Sequence, residues 1–512
     1  MLKFSLLFIF MKKNKDWFKD RGYPHFSNKT PLAVRKRIES YVSNPEKVAR
    51  HSFHPLIFKE IKQRRYKESL FNGKVRRSHK KEKNGKIISN TKIREILYAT
   101  HIDAHVYSYY TQKIITPKYE AYLKQCPILS HSISAYRRIE TDDTFKFKNN
   151  VHFAKDVFNE IRKRENCVSL VLDIENFFPT LNHKRLKLEW AKILEKKTLP
   201  KDHFNIFKSA TRFSYVKLND LKTRKGHFDE KELSKHKKTG KHTFFEKLEH
   251  LIGSNITIYK NQKKNNRKEL IGIPQGLPIS ALLANIYMLS FDEAIINELT
   301  IKNDVFYRRY SDDIIVLCKE NQIKLVEDFI TKEIEKIELK ISLEKTEKTL
   351  FKIHKNRLQS FRISNTGVLK ENVPLNYLGF EFYGYQTLIK SKNLASFYRE
   401  MKQTVKRRHK RVESIKEKYL LDEAPLYKRK LYRLFTYKGV KSRKIPSKRI
   451  IYLNGQPISK PFWRKFRGNY LRYAYKASEE LEAPEIKRQV RNHWKILQKT
   501  ILKYDFSNSK KT

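Results

Sequence analysis

Three textures of apolar and polar residues succeed one another along the chain, and each predicts a different kind of element. Between Lys59 and Arg94, Tyr66, Phe71 and Ile87-Ile88 interleave with basic residues, while Asn72-Gly73 and Asn84-Gly85 mark tight turns, which predicts a β-ribbon. Lys92 to Tyr110 overlaps its end with Ile93, Ile96, Leu97, Ala104 and Val106 spaced as a helical stripe carrying Arg94 and Asp103. The middle of the chain has short continuous apolar runs: Val168 to Leu172, Phe306 to Tyr310 and Ile314 to Leu317 read as buried strands. Helices are expected from His183 to Leu194 and Ala281 to Leu289, a hairpin from Asn255 to Gly272, and an exposed loop from Lys235 to His242. From Leu394 the period becomes helical, with Leu394, Phe397, Met401 and Val405, then Leu431, Leu434 and Phe435, three or four residues apart. Lys441 to Gly455 interrupts it, with a turn expected at Asn454-Gly455. Phe462 to Leu481, with Trp463, and Glu485 to Tyr504, with Trp494, resume as amphipathic helices, so the C-terminal region is expected to be all helical.

The strands carry the chemistry. Ser311-Asp312-Asp313 interrupts two apolar runs, which places two adjacent carboxylates at the tip of a hairpin. Neighbouring like charges raise each other's pKa, and a pair that stays ionised at neutral pH is most simply explained by a bound divalent cation, Mg²⁺ being the expected one. A third carboxylate, Asp173, ends the run Val168-Ser169-Leu170-Val171-Leu172. Two strands then deliver three carboxylates to one locus, as two-metal phosphoryl transfer requires. Between them, Gly272-Ile273-Pro274-Gln275-Gly276-Leu277-Pro278-Ile279-Ser280 is turn-rich; its glycines allow close backbone approach, and Gln275 can meet a sugar or base edge.

Charge extends the picture beyond the strands. The 512 residues leave room for roughly two to four domains. Lys plus Arg number 111 against 54 Asp plus Glu, a formal net charge of +57 that a polyanionic partner explains. The excess is uneven: fourteen to three over Lys59–Arg94, ten to eleven over 301–350, and eighteen to four over 401–450. The first of these runs is expected to meet template phosphates, although a solvated face fits the same charge; the last shift marks a boundary near Gln386 to Lys392. Twenty-eight Tyr and thirty-two Phe supply rings on which unpaired bases can stack. Cys126, Cys167 and Cys318 form no CxxC pair, which indicates neither a zinc site nor a disulfide framework and suits a reducing compartment. Leu2 to Met11 is apolar but too short to span a bilayer, and translation is expected to begin at Met11.

Asp173-Ile174 with Phe177-Phe178, the Pro-Gln-Gly turn with Ala284-Asn285, and Tyr310-Ser311-Asp312-Asp313 stand in the order of motifs A, B and C, and resemble those of reverse transcriptases of the bacterial retron and group II intron type. Ala135-Tyr136-Arg137-Arg138 resembles the fingers motif that holds the incoming triphosphate, Leu343 to Thr346 the motif bearing a lysine, Lys345, and Leu375 to Phe380 the primer-grip hairpin. The resemblance covers roughly residues 90 to 385 and implies an α+β right-hand polymerase fold, with fingers, a palm built on an antiparallel sheet, and a thumb, followed by a helical C-terminal extension. The expected division is 1–90, N-terminal extension and basic fingers ribbon; 91–385, fingers and palm; 386–512, basic helical thumb and extension.

The resemblance further implies an RNA-directed DNA polymerase in which Asp173, Asp312 and Asp313, with the Ile174 carbonyl, hold two Mg²⁺ ions. Arg137, Arg138, Phe178, Gln275 and Tyr310 are expected at the nucleotide, with Phe178 as the ring that excludes a 2′-hydroxyl; that one of the two arginines pairs instead with a carboxylate is left open. Lys345, Tyr377, Gly379, Arg407, Arg408, Lys410 and Arg411 are expected against nucleic acid. Implied partners are an RNA template, in some members a companion noncoding RNA, dNTPs and a DNA product; no membrane partner is expected, and self-association stays open. Gly22-Tyr23-Pro24-His25-Phe26 and the basic C-terminal region are similar to those of bacterial antiphage defence or abortive-infection members, which implies a bacterial cytoplasmic protein. A retron enzyme, a non-polymerising maturase-like scaffold and an RNA-dependent RNA polymerase are the competing readings.

Overall fold

The computed structural model describes residues 17–505 apart from 29, 72–73, 84, 142–146, 224–242, 246–248, 255, 343–344, 365, 423, 425 and 454–455. The segment Leu2 to Met11, the expected loop Lys235 to His242, and Leu343 and Glu344 lie outside these residues.

Six antiparallel strands make the central sheet, in the order Phe306–Tyr310, Asp313–Cys318, Cys167–Asp173, Glu347–His354, Arg357–Ile363 and Leu369–Glu371. The period of two along a strand divides its side chains between two cores. Val168, Leu170, Leu172, Ile314, Val316 and Cys318 face one core, which they share with helix Ser280–Tyr287 and with Trp17, Ile38 and Val48 near the N-terminus. Cys167, Ile315, Leu317 and Phe351 face the other, shared with helix Asn150–Arg164 and the helices beyond residue 390. With both faces covered, Ile314–Cys318 is continuously apolar and Cys167–Leu172 is broken only by Ser169.

A second sheet orders Thr91–Tyr98, Leu56–Arg64, Ser214–Lys217 and Tyr259–Lys260. The Lys59–Arg94 stretch therefore begins and ends in paired strands, Ile57 opposite Tyr98, and carries two further hairpins, Lys67–Phe71 with Lys74–Ser78 and Lys80–Lys83 with Lys86–Ser89. The helix expected from Lys92 is thus a strand as far as Tyr98 and a helix only over His101–Tyr109, capped by the Thr100 hydroxyl. Ile93 and Ile96, three residues apart, suit one face of a helix and fall on opposite faces of a strand, so pairing with Leu56–Arg64 overrides the helical spacing. A boundary at 90 falls inside this sheet, so the N-terminal part shares the central core. The expected hairpin from Asn255 reduces to Tyr259–Lys260 pairing with Ser214–Lys217, and to bridges of Lys264 with Leu270 and Asn182 with Ile271.

Beyond a three-stranded sheet of Leu375–Tyr377, Phe380–Phe382 and Thr387–Ile389, the C-terminal region begins with helix Ser391–Tyr419, which buries Phe397, Met401 and Val405. Helices Arg429–Phe435, Tyr470–Glu480, Pro484–Val490 and His493–Asp505 complete it. The expectation of an all-helical region is corrected at Arg443–Leu453 and Gln456–Phe466, an antiparallel hairpin of two eleven-residue strands that also takes Phe462 and Trp463 out of the expected helix. Leu453 pairs with Gln456, and the expected turn Asn454-Gly455 lies outside the described residues. Pro446, Pro457 and Pro461 exclude a helix here and are tolerated because both edges of a two-stranded ribbon are open.

Candidate active site

The carboxylates meet because of strand register. Asp313 lies directly opposite Asp173, and Asp312 sits in the turn beside them, its carbonyl accepting from the Ile174 amide at 3.4 Å. Ser311 opens the turn at φ 63°, a left-handed conformation that costs a non-glycine residue energy and that its surroundings must hold. They do so through Arg309. Its side chain is fully buried, with Nε and Nη2 donating to Asp292 at 2.7 and 2.6 Å, and Nη1 donating to Asn285 Oδ1 and the Ser311 carbonyl, both at 3.1 Å. Tyr307 donates to the same Asp292 at 2.6 Å, and Asn285 Nδ2 donates to the Ala135 carbonyl at 2.9 Å. One buried guanidinium thus ties the Ser311-Asp312 turn to the helices on either side of Met288.

Burial, then repulsion from Asp312 and Asp173, pushes the Asp313 carboxyl up to about 6, against opposition from Lys390 and Lys345. Burial raises Asp312 as well, with Asp173 adding to it. Hard oxygen donors that repel one another at the ends of adjacent strands suit a divalent cation. Among the described residues no group of three or more His, Cys, Asp or Glu already converges on one point, and the Lys345 ammonium is ion-paired to Asp173 Oδ2. A cation bound there would take over the charge that Lys345 now balances. Lys92 and Lys390 also act on the cluster electrostatically, and sequence reading missed both: they are distant in sequence and belong to no motif. Burial and the cations Arg65, Arg94 and Lys345 lower the pKa of Lys92, with Asp173 opposing.

The Pro-Gln-Gly segment packs between the first motif and the second sheet. Gly272 donates to the Leu181 carbonyl at 2.8 Å and Ile273 to the Phe178 carbonyl at 2.9 Å, while Leu97 donates to the Gln275 carbonyl at 2.9 Å. Gly276, at φ 123°, lies so close to Leu97 that a Cβ would come within 2.6 Å of its carbonyl oxygen. Phe178 and Gln275 are half-buried. Tyr310 is also half-buried, and burial, then Tyr136 and Asp313, raise its hydroxyl pKa.

Of the two arginines, Arg137 takes the structural role left open for one of them, and the expectation for Tyr377 needs correction. Arg137 is turned inward, with Nε and Nη2 on Glu120 at 2.9 and 2.7 Å, Nη1 on the Ser130 and Ile133 carbonyls, and a side chain only 5% exposed. Its donors are spent on protein oxygens, so it braces the loop; Arg138, exposed and stacked 4.6 Å over Phe147, is the arginine directed outward. Tyr377 is 3% exposed in the core shared with the C-terminal helices, so it supports its hairpin from beneath. Gly379 supplies the hairpin's turn at φ 97°. Arg407, Lys410 and Arg411 are exposed on Ser391–Tyr419, whereas Arg408 is less so and donates to the Tyr427 carbonyl at 3.3 Å. Lys345 is half exposed.

The family model described as reverse transcriptase (RNA-dependent DNA polymerase) matches residues 81–382. No curated protein matches the chain. Among solved structures, telomerase from Candida albicans in complex with a fragment of telomeric RNA is 11% identical at a TM-score of 0.36, over 94% of this chain and 68% of that one. Apo telomerase from Candida tropicalis without its C-terminal domain is 12% identical at 0.37, over 72% and 63%. The untruncated apo form is 11% identical at 0.35, over 75% and 59%. Against the last two, the chain spans less than two thirds of the matched length. No helix among the described residues is long and apolar enough to cross a membrane. The family match takes in more than half of the chain, including Asp173, the Pro-Gln-Gly turn and Asp312-Asp313, and the chain therefore belongs to the reverse transcriptases, RNA-directed DNA polymerases of right-hand fold that work with divalent metal ions.

Proposed function

We propose that this chain extends a primer 3′-hydroxyl with deoxynucleotides on an RNA template, by a two-metal mechanism, in bacterial antiviral defence. The single observation that carries the chemistry is the register that sets Asp313 opposite Asp173 with Asp312 in the adjoining turn. These three carboxylates and the Ile174 carbonyl would hold two Mg²⁺ ions, which lower the pKa of an attacking hydroxyl and neutralise charge on the transferred phosphoryl group. The chain's own residues do the rest. Arg309 holds the turn that aims Asp312; Arg138, Lys92 and Lys345 supply positive charge for triphosphate oxygens; Tyr310 and Gln275 border the nucleotide; and Phe178, its carbonyl fixed by the Ile273 amide, crowds a 2′-hydroxyl. Support for a defence role is the resemblance of the Gly-Tyr-Pro-His-Phe turn. That turn is built into the protein, Tyr23 donating to the Ala99 carbonyl at 2.9 Å and His25 Nε2 lying 3.1 Å from the Tyr98 carbonyl.

Incorporation on poly(rA)/oligo(dT), with dTTP compared with UTP, tests the reaction. Preference for UTP would make it an RNA polymerase, and no incorporation of either would leave a binding scaffold. Phage plating on bacteria expressing wild type or Asp312→Asn tests the role: equal protection by both would separate any defence from synthesis.

A further inference from the structure

The hairpin Arg443–Phe466 is inserted between two C-terminal helices, and its root is built to a fixed shape. Asn469 Nδ2 donates to the Arg433 and Thr436 carbonyls at 3.2 and 2.7 Å, its amide donates to the Gly439 carbonyl at 3.0 Å, and Ser442 Oγ donates to the Phe466 carbonyl at 3.0 Å. A Cβ at Gly439 would collide with the Arg433 carbonyl, so the backbones cross there too closely for any side chain.

Beside this root lies a pocket of about 500 Å³ lined by Arg429, Tyr432, Arg433, Lys438 and Arg443. Four of its five lining residues are cations. Among the described residues none of the four makes an ion pair, and buried Arg433 Nε has no hydrogen-bond partner. Arg443, Arg429 and Arg464, after burial, all lower the pKa of Arg433, and no carboxylate opposes them. From Lys441 to Arg467 the sequence has nine Lys or Arg and no Asp or Glu, so the concentration of positive charge continues along the ribbon. A protein that assembles four cations without counter-ions around an open pocket has left the counter-charge to a ligand.

Aromatic rings border the same charge. Tyr432 stacks on Trp494 at 5.1 Å with the Lys438 ammonium over both rings, and Tyr437, 55% exposed, rests against Trp494 at 5.6 Å. On the ribbon, Phe462 is 44% and Trp463 68% exposed. Exposed rings beside cations are the elements with which proteins hold unpaired bases and the backbone that joins them.

We propose that the pocket and ribbon form a binding site for single-stranded nucleic acid, with phosphodiester groups seated among Arg429, Arg433, Lys438 and Arg443 and bases stacked on Tyr437 and Trp463. The site lies outside the carboxylate cluster and rests on the reading of the chain as a polymerase on RNA. It gives the enzyme a hold on a strand independent of the primer end.

The test is fluorescence anisotropy of a short labelled oligo(U) with the full chain carrying Asp312→Asn, at several salt concentrations. Working in that background separates the failure of this site from failure of the polymerase reading, because no synthesis is measured. Arg433→Gln with Lys438→Gln should flatten the plot of log affinity against log salt by roughly 1.4, about 0.7 for each lost phosphate contact. Arg429→Gln with Arg443→Gln, both on exposed side chains, should do the same without touching the packing of Arg433 on Phe466. Trp463→Ala should cost roughly tenfold in affinity and leave the slope alone. Slopes unchanged in both pairs would overturn the proposal. So would blunt duplex RNA binding as well as oligo(U), or magnesium-free ATP displacing the oligonucleotide completely, since a small nucleotide would then be the ligand.

Discussion

Residues 301–350 carry ten Lys or Arg against eleven Asp or Glu, whereas residues 401–450 carry eighteen against four. In the first region charges are satisfied inside the protein: Arg309 is buried against Asp292, Arg308 reaches Asp156 at 3.2 Å, and Lys348 reaches Glu327 at 2.6 Å. In the second they stand on exposed helix and ribbon surfaces, and Arg429, Arg433, Lys438 and Arg443 make no ion pair among the described residues. Charge inside the sheet shapes and holds a turn; charge on the C-terminal surface is available to a polyanion. Substitutions should therefore act through chemistry and stability in the first region and through salt-dependent affinity in the second.

The largest effect is expected at the carboxylates. Asp173→Asn or Asp312→Asn should abolish primer extension while leaving the circular dichroism spectrum intact, because an amide keeps the shape and removes a ligand charge. Activity near wild type in either would detach the reaction from this turn. Arg309→Met comes next. It strands Asp292 in a fully buried position and should cost roughly 3–5 kcal/mol in urea unfolding, the penalty for breaking a buried pair. A loss below about 1 kcal/mol would put the pair in the class of surface bridges. Phe178→Val leaves the metal site alone and should raise ribonucleotide use relative to deoxynucleotide by roughly tenfold or more, the scale on which a pocket discriminates by one bulky contact. An unchanged ratio returns Phe178 to packing against Phe177. Smallest in chemistry is the quadruple change of Arg407, Arg408, Lys410 and Arg411 to Gln. Turnover on a saturated complex should stay nearly the same, while the salt slope of primer-template binding flattens by a few units at most. Identical slopes would leave that helix face solvated and without a nucleic-acid role.

The same contrast explains what the sequence disclosed. Asp173, Asp312, Asp313, Gln275 and Phe178 sit in continuous segments whose apolar frames are strands or turns, so their placement follows from local pattern. Arg309 did not stand out: its partner Asp292 is remote from it in sequence and on a helix, and only folding shows that an arginine inside a strand is neutralised. The choice between Arg137 and Arg138 stayed open and Tyr377 was expected against nucleic acid because a motif specifies which residues occur, whereas Glu120 and the C-terminal helices decide which way they turn. The first strand of the C-terminal ribbon fell in the stretch Lys441 to Gly455 that interrupts the helical period, and the end of the second was missed because Phe462 and Trp463 satisfy a helical count as readily as a strand's. Pro446, Pro457 and Pro461, on both sides of the expected Asn454-Gly455 turn, were the signal that would have extended it to a ribbon.

A single site shared by Asp173, Asp312 and Asp313 is tested most directly by binding of the cation itself. Titration with Mn²⁺, followed by electron paramagnetic resonance, can be run on wild type and on Asp312→Asn from pH 7.5 down to pH 5. Asp313 carries a proton below about 6, well above its ordinary value, so a cation must expel that proton on the acid side. Affinity in wild type should therefore hold at neutral pH and fall as pH drops through about 6, the metal-free chain gaining stability over the same interval. Asp312→Asn should bind weakly throughout. Equal Mn²⁺ affinity in the two proteins, with no loss on the acid side, would contradict a metal site at these three carboxylates.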